Sequence, residues 1–155
     1  MFQKMRLIAH RGNINGPNPA RENTIDYIDE ALAAGYEVEV DVWYNVLENT
    51  FYLGHDGPIE PVSAHSLANS AIWCHAKNAV ALRALLSIGA HCFMHDTDDA
   101  VLTSNKHIWT YPGKELVPNA ICVLPESVAS KPDYEMCSGI CSDYVINYKY
   151  LKGEE

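Results

Sequence analysis

Apolar residues along this chain fall into short runs set off by turn residues. Leu7–Ala9, Glu37–Tyr44, Phe51–Gly54, Ala71–Ala76, His91–Met94, His107–Tyr111, Ala120–Leu124 and Gly139–Val145 are short and rich in β-branched or aromatic residues. Each is bounded by Gly, Pro, Asn or Asp, and each predicts a strand. In the second run the alternation places Glu37, Glu39 and Asp41 on one face and Val38, Val40 and Val42 on the other. Two stretches keep a helical period instead. Ile25, Ile28 and Leu32 share one face, behind a cap at Asn23 or Thr24 and ahead of Gly35. Residues 79–86 follow a second cap, Asn78, and stop before Gly89. Each helix lies between two strands, as a parallel βαβ unit requires. Residues 57–70, 113–119 and 127–137 are too polar, or too broken by Pro58, Pro61 and Pro132, to predict full helices. The pattern is α/β at the start and stripped down toward the end.

The length of 155 residues suits one domain spanning residues 1–155, with a real core. No apolar run approaches the roughly 20 residues of a membrane span. The opening residues are too poor in apolar side chains for a signal peptide, so a cytoplasmic protein is expected. A net charge of −9 argues against nucleic-acid binding, which needs a basic surface. An acidic protein that holds an anion needs a local cationic site or a bound metal. Of the five cysteines none forms a CxxC pair, and Cys74, Cys92 and Cys122 sit inside strand-like runs, where a thiol acts as a small hydrophobe.

Three strand ends carry candidate chemistry. The first run ends His10-Arg11-Gly12 and the third ends Gly54-His55-Asp56. Between them stand the carboxylates of the second. Three carboxylates on one dry strand face would repel one another, and a divalent cation coordinating two of them removes the repulsion. The alternative is a solvated edge-strand face. Two histidines at strand tips suit acid–base chemistry, one taking a proton and the other giving one. Arg11 offers a planar fork of donors for phosphate.

The order His10-Arg11, Glu39-Val40-Asp41, His55-Asp56 resembles the signature of the glycerophosphodiester phosphodiesterase family, in which each pair stands at the end of an early barrel strand. The family's Pro-Glu-Asn-Thr stretch is retained as Glu22-Asn23-Thr24, with Arg21 in place of proline. The resemblance covers residues 7–56 and thins out beyond them. It implies a TIM-type (β/α)8 barrel with a metal-assisted phosphodiesterase site at its C-terminal face, where barrel active sites lie. By the same resemblance His10 and His55 would be general base and general acid. Glu39 and Asp41 would bind calcium or magnesium, and a small-molecule phosphodiester would be the substrate.

Two departures shape the expectation. The family's fourth strand usually ends Glu-x-Lys, supplying a third metal carboxylate and a phosphate-binding lysine. Here His75 stands in the glutamate's position and Lys77 in the lysine's. Imidazole admits manganese or zinc where the family uses calcium or magnesium. The second departure is size. Such a barrel takes about 250 residues, whereas eight strands here have about 19 residues each, connections included. The expected fold is therefore a truncated barrel with several outer helices missing or shortened, whose uncovered apolar faces a second copy could cover in a homodimer. Trp109, near the sixth strand end, is a candidate wall for the substrate. His95, Glu126 and the Ser142-Asp143 pair, similar to the family's terminal Thr-Asp, are weaker candidates. Three functional readings follow from these residues. The first is a metal-dependent phosphodiester hydrolase. The second is a non-catalytic or redirected phosphate-ligand binding module on a shrunken barrel. The third is a zinc hydrolase of another kind, with Glu39, Asp41 and His75 as ligands.

Overall fold

The alternation of β-branched and polar residues is realised as a two-faced sheet in a computed structural model that describes residues 4–153. Among the described residues the strands are β1 (Arg6–His10), β2 (Glu37–Asn45), β3 (Thr50–Leu53), β4 (Glu60–Val62), β5 (Ile72–Ala76), β6 (Cys92–Phe93), β7 (Ala100–Leu102), β8 (Ile108–Thr110), β9 (Ala120–Val123) and β10 (Gly139–Ser142). The α-helices are α1 (Ile25–Ala33), α2 (Ala64–Leu67) and α3 (Ala79–Ser87). Single 3-10 segments span Pro125–Ser127, Tyr134–Met136 and Val145–Lys152. All eight expected strands form, and so do both expected helices. Thr24, not Asn23, caps α1 by accepting from Tyr27 N, and Asn78 caps α3 by accepting from Ala81 N.

The strands lie in one ten-stranded mixed sheet. Seven run parallel in the order β6-β5-β2-β1-β10-β9-β8. The nine-residue β2 changes partner along its length. Its first part pairs with β5 through Val42↔Ala76, and its last part with antiparallel β3 from Val42↔Leu53. β3 is thus the return arm of a hairpin, not a member of the parallel series.

The (β/α)8 barrel implied by the resemblance does not form. Helices of ordinary length follow only β1 and β5 among the described residues, so the repeat of strand and helix is not kept. The other connections are a hairpin and the four-residue α2, the antiparallel β7, a loop, and 3-10 turns. Prolines at 112, 118, 125 and 132 stand in the later ones, where each removes a helix hydrogen bond. No ladder joins β6 to β7 or β8. These edges still meet, because the sheet rolls strongly. Trp109 of β8 packs against Phe93 of β6 with ring centroids 4.4 Å apart, although β8 and β6 end opposite sides of the parallel series. The seam is held by Ser104, whose N donates to Cys92 O and whose Oγ accepts from Cys92 N.

Two cores result. The outer face, carrying Leu7, Ala9, Val38, Val40, Val42 and Cys74, packs against Ile28 and Ala31 of α1 and Ala81 and Leu85 of α3. The inner face holds Ile8, Trp73, Phe93, Trp109, Ile121, Val123 and Cys141. All four buried cysteines serve as apolar filling in or beside these cores. No helix among the described residues is long and apolar enough to cross a membrane.

Candidate metal centre and acid–base site

Register brings the site together. In the β1–β2 ladder His10 stands beside Glu39, and in the β2–β5 ladder Asp41 stands beside His75. The strands are parallel and alternate in facing, so four chemically active side chains reach the same face from three neighbouring strands. Glu39 and Asp41 are each only 1 % exposed, which rules out a solvated edge-strand face for them. Glu37 sits one step lower and does other work, accepting from Arg6 and from Trp73 Nε1.

Two buried carboxylates side by side carry a large electrostatic cost unless cations and donors compensate them. The cluster is built to compensate. Glu39 Oε1 accepts from Arg11 N at 3.2 Å. Asn23 grips Asp41 twice: its Nδ2 donates to Oδ2 at 3.0 Å, and its Oδ1 accepts from Asp41 N at 2.9 Å. Asn23 reaches this position with φ of 59°, a left-handed conformation that asparagine tolerates better than most residues. Arg11, also left-handed at φ 56°, lays Nε 3.3 Å from Asp41 Oδ2 and anchors Nη1 on Glu22 at 3.2 Å. Lys77 Nζ lies 3.8 Å from Asp41 Oδ1.

His75 is the third member. Its Nδ1 is 3.3 Å from Asp41 Oδ1 and 3.7 Å from Glu39 Oε2, while its Nε2 donates to the backbone carbonyl of His95 at 2.9 Å. That outer bond fixes which nitrogen faces the carboxylates, as outer partners do for metal-binding histidines. Phe93 stacks on the ring at 5.1 Å. Burial pulls the His75 pKa down, but the adjoining Asp41 and Glu39 outweigh it and push it up to about 9. Burial likewise raises Asp41, and His75, Asn23 and Arg11 overcome it, holding the carboxyl well below the usual range. The ligand atoms of Glu39, Asp41 and His75 lie within 4.8 Å of one another, so the cluster could hold a metal ion. The donor set fits such an ion: two anionic oxygens and one imidazole nitrogen, with the other nitrogen already committed.

Acid–base groups flank this centre. His10 Nδ1 is 2.7 Å from Asp143 Oδ1, leaving Nε2 on the side of Glu39, at 3.9 Å. Burial lowers the His10 pKa, but the bond to Asp143 and the charge of Glu39 prevail and raise it above the ordinary value. Asp143 also accepts from Asn13 Nδ2 at 2.9 Å, and its own N donates to Glu126 at 3.0 Å. Glu126 therefore braces the loop that holds Asp143. On the opposite side His55 is partly exposed, with Nδ1 2.7 Å from Arg11 Nη2 and 3.4 Å from Asp41 Oδ2.

The structure thus brings together His10, Arg11, Glu39, Asp41, His55, His75 and Lys77. It does not bring Trp109 to the surface of the site. That ring is 3 % exposed and packs beneath Phe93 and beside Trp73. Asp56 is fully exposed, its Oδ1 3.8 Å from His55 Nε2. Asn23, which the sequence offers as a helix cap and as part of the retained Glu22-Asn23-Thr24 stretch, holds Asp41 instead of capping α1. The signal for this placement is its position in that stretch, beside a second cap-forming residue that suffices for the helix. Comparison with known proteins finds no matching family model, no similar curated protein and no similar solved structure.

Proposed function

We propose that this protein is a metal-dependent phosphodiester hydrolase acting by histidine acid–base catalysis. The observation that carries the reading is the convergence of two buried carboxylates of β2 with one imidazole, two outer histidines and two cations from β1, β5 and the segments that follow β1, β3 and β5. Glu39, Asp41 and His75 would hold the ion, and its chemistry when bound is to neutralise charge on a phosphoryl oxygen. An imidazole in place of a third carboxylate favours manganese or zinc over calcium.

The chain's own groups supply the rest. Arg11 and Lys77 bind the phosphate oxygens. His10, with Asp143 holding the Nδ1 proton, takes a proton at Nε2 from an attacking water or neighbouring substrate hydroxyl as its oxygen bonds to phosphorus. His55 gives a proton to the alcohol oxygen as the phosphorus–oxygen bond to it breaks. When phosphate takes the Arg11 donors, His55 Nδ1 is released from its contact with Nη2.

Hydrolysis of bis(p-nitrophenyl) phosphate and a panel of glycerophosphodiesters tests the reading, run with EDTA and then with calcium, magnesium, manganese or zinc. Activity is expected only with metal, best with manganese or zinc, and lost in His10→Ala and His55→Ala proteins that remain folded. Inactivity with every metal would overturn it and leave a phosphate-binding module as the better reading.

A further inference from the structure

Behind the His10–Asp143 pair lies a polar cluster built on Asn13, which follows His10 by three residues and is completely buried. An amide taken out of water needs its donors and its acceptor matched. Asn13 Oδ1 accepts from Tyr27 Oη at 2.9 Å and from Asn18 N at 3.2 Å. Its Nδ2 donates to Asp143 Oδ1 at 2.9 Å, the same oxygen that meets His10 Nδ1 at 2.7 Å. Two donors thus claim Oδ1, so Nδ2 is the atom that faces the carboxylate. A flipped amide would set a carbonyl oxygen against Asp143 and its own N–H groups against those two donors.

Tyr27, in the first turn of α1, is itself held in place. Gly12 has φ of 90°, and a Cβ there would lie 2.7 Å from Tyr27 Cδ2. The glycine of His10-Arg11-Gly12 therefore admits the ring against the backbone. The Arg21 guanidinium lies over the ring, 4.7 Å from its centroid, and its Nη1 is tied to Glu30 at 2.9 Å. Arg21 is the residue that replaces proline in the retained stretch, so that departure has a place in the same arrangement. The backbone of Asp143 is fixed too. Its N donates to Glu126 at 3.0 Å and its carbonyl accepts from Gly16 N at 2.7 Å. Rotation of its side chain is the freedom that remains, and the bond from Asn13 removes it.

We infer that Asn13, with its amide turned by Tyr27, is a positioning residue that holds Asp143 Oδ1 against His10 Nδ1, so that the ring keeps its proton there and presents a bare Nε2 on the side of Glu39. Which ring nitrogen carries the proton is set by the bond the other side of the ring makes. Without Asn13 the Asp143 carboxylate can turn away, and the neutral ring can exchange one tautomer for the other. The inference rests on the phosphodiesterase reading for what Nε2 does, but not for which nitrogen bears the proton.

Two-bond proton–nitrogen correlation spectra of the metal-free protein, labelled with 15N at histidine and recorded with His10 neutral, read its tautomer without any substrate. The wild-type ring is expected to carry its proton at Nδ1. Asn13→Ala should give a mixture of tautomers, and Tyr27→Phe a smaller change in the same direction. Tyr27→Phe keeps the ring beside Gly12 and Arg21, so it tests the arrangement even where Asn13→Ala fails to fold. In the diester assay Asn13→Ala is expected to lower kcat by about 10²-fold and Tyr27→Phe by about fivefold, with KM moved less than about twofold. Because Tyr27 acts through Asn13, the double variant should be no slower than Asn13→Ala alone. A wild-type tautomer in both variants, or kcat losses that multiply in the double variant, would overturn the positioning role. The expected tautomer changes without hydrolysis of any diester would overturn the reaction and leave the positioning role standing. Metal-dependent hydrolysis with tautomer and kcat unchanged in both variants would do the reverse.

Discussion

In the proposed centre His75 would decide which ion is preferred, because it would set both ligand softness and local charge. A His75→Glu substitution gives three carboxylates on one dry face. Without metal the Tm is expected to fall, since like charges in a buried site disfavour ionisation. With calcium or magnesium it should recover, and preference should move from manganese and zinc toward these ions. Metal titration followed by thermal denaturation reads both effects. An unchanged metal order would show that His75 is not a ligand. In the proposed reaction Asp143 is a positioning residue, holding the His10 Nδ1 proton so that Nε2 is free. Asp143→Asn is expected to lower kcat by about 10²-fold. It also removes the charge that keeps the His10 pKa up, so the acidic limb of the pH–rate profile should move to lower pH. A rate loss with an unmoved limb would mean that Asp143 merely supports the fold. At this scale the sequence was informative where chemistry demands a residue type. The alternation of β2 could be read directly at Glu39 and Asp41, and His10, Arg11 and His55 stand at or just past the ends of β1 and β3, so the structure collects all five in one site. Trp109 fills the inner core instead of walling the site, and an aromatic at a strand end looks the same in sequence in either place. Its facing is set by β8 register, and nothing local reveals that register.

At the scale of elements, the hairpin and its return loop carry the second histidine. Gly54 has φ of 153°, and a Cβ there would lie 1.9 Å from the Gly57 carbonyl oxygen. No side-chain movement relieves a clash with backbone, so Gly54→Ala must reshape the loop bearing His55. Equilibrium urea unfolding is expected to show a loss of about 2–4 kcal/mol, with activity falling further than the residual folded fraction explains. Wild-type activity and stability in this variant would mean that the loop geometry is unimportant. The strands that were not foreseen are both short edge pieces. β4 includes Pro61, which argues against a strand interior and is tolerated because β4 lies at the sheet edge. β7 has three residues, and α2 has four with a Ser63 cap, too few to show any period.

The whole molecule departs most from the sequence reading, and its physical weak point lies in the same place. The motifs of residues 7–56 describe three strand tips and their neighbours. They say nothing about whether later strands close a ring of helices and strands. That depends on connections after residue 94, where proline and short loops leave a rolled open sheet. At its seam two histidines stand in for a ladder. His91 Nε2 is 2.7 Å from Thr103 Oγ1, Thr103 N donates to His107 O, and both rings lie against Trp73 at 4.1 and 5.1 Å. Burial lowers the His91 pKa from 6.5 to about 4, helped by His107 and Arg6, and burial and Arg6 lower His107 in the same direction, with Glu37 opposing. The folded seam therefore binds fewer protons than the unfolded chain below pH 6.5, so acid favours unfolding, progressively from 6.5 toward 4. His75 acts with the opposite sign. Its raised pKa gives stability that is complete below 6.5 and is lost as pH rises toward 9. The metal-free protein should thus be most stable near about pH 6.5 and weaken on both sides. Urea midpoints followed by tryptophan fluorescence test this directly, since Trp73 and Trp109 lie in the seam's core. His91→Gln, which can still bond Thr103 but cannot titrate, should flatten the acid side and leave the alkaline side as it was. A wild-type curve that is flat between pH 6.5 and 4, or a variant with the same acid slope, would remove the seam histidines from the account of how this sheet stays rolled.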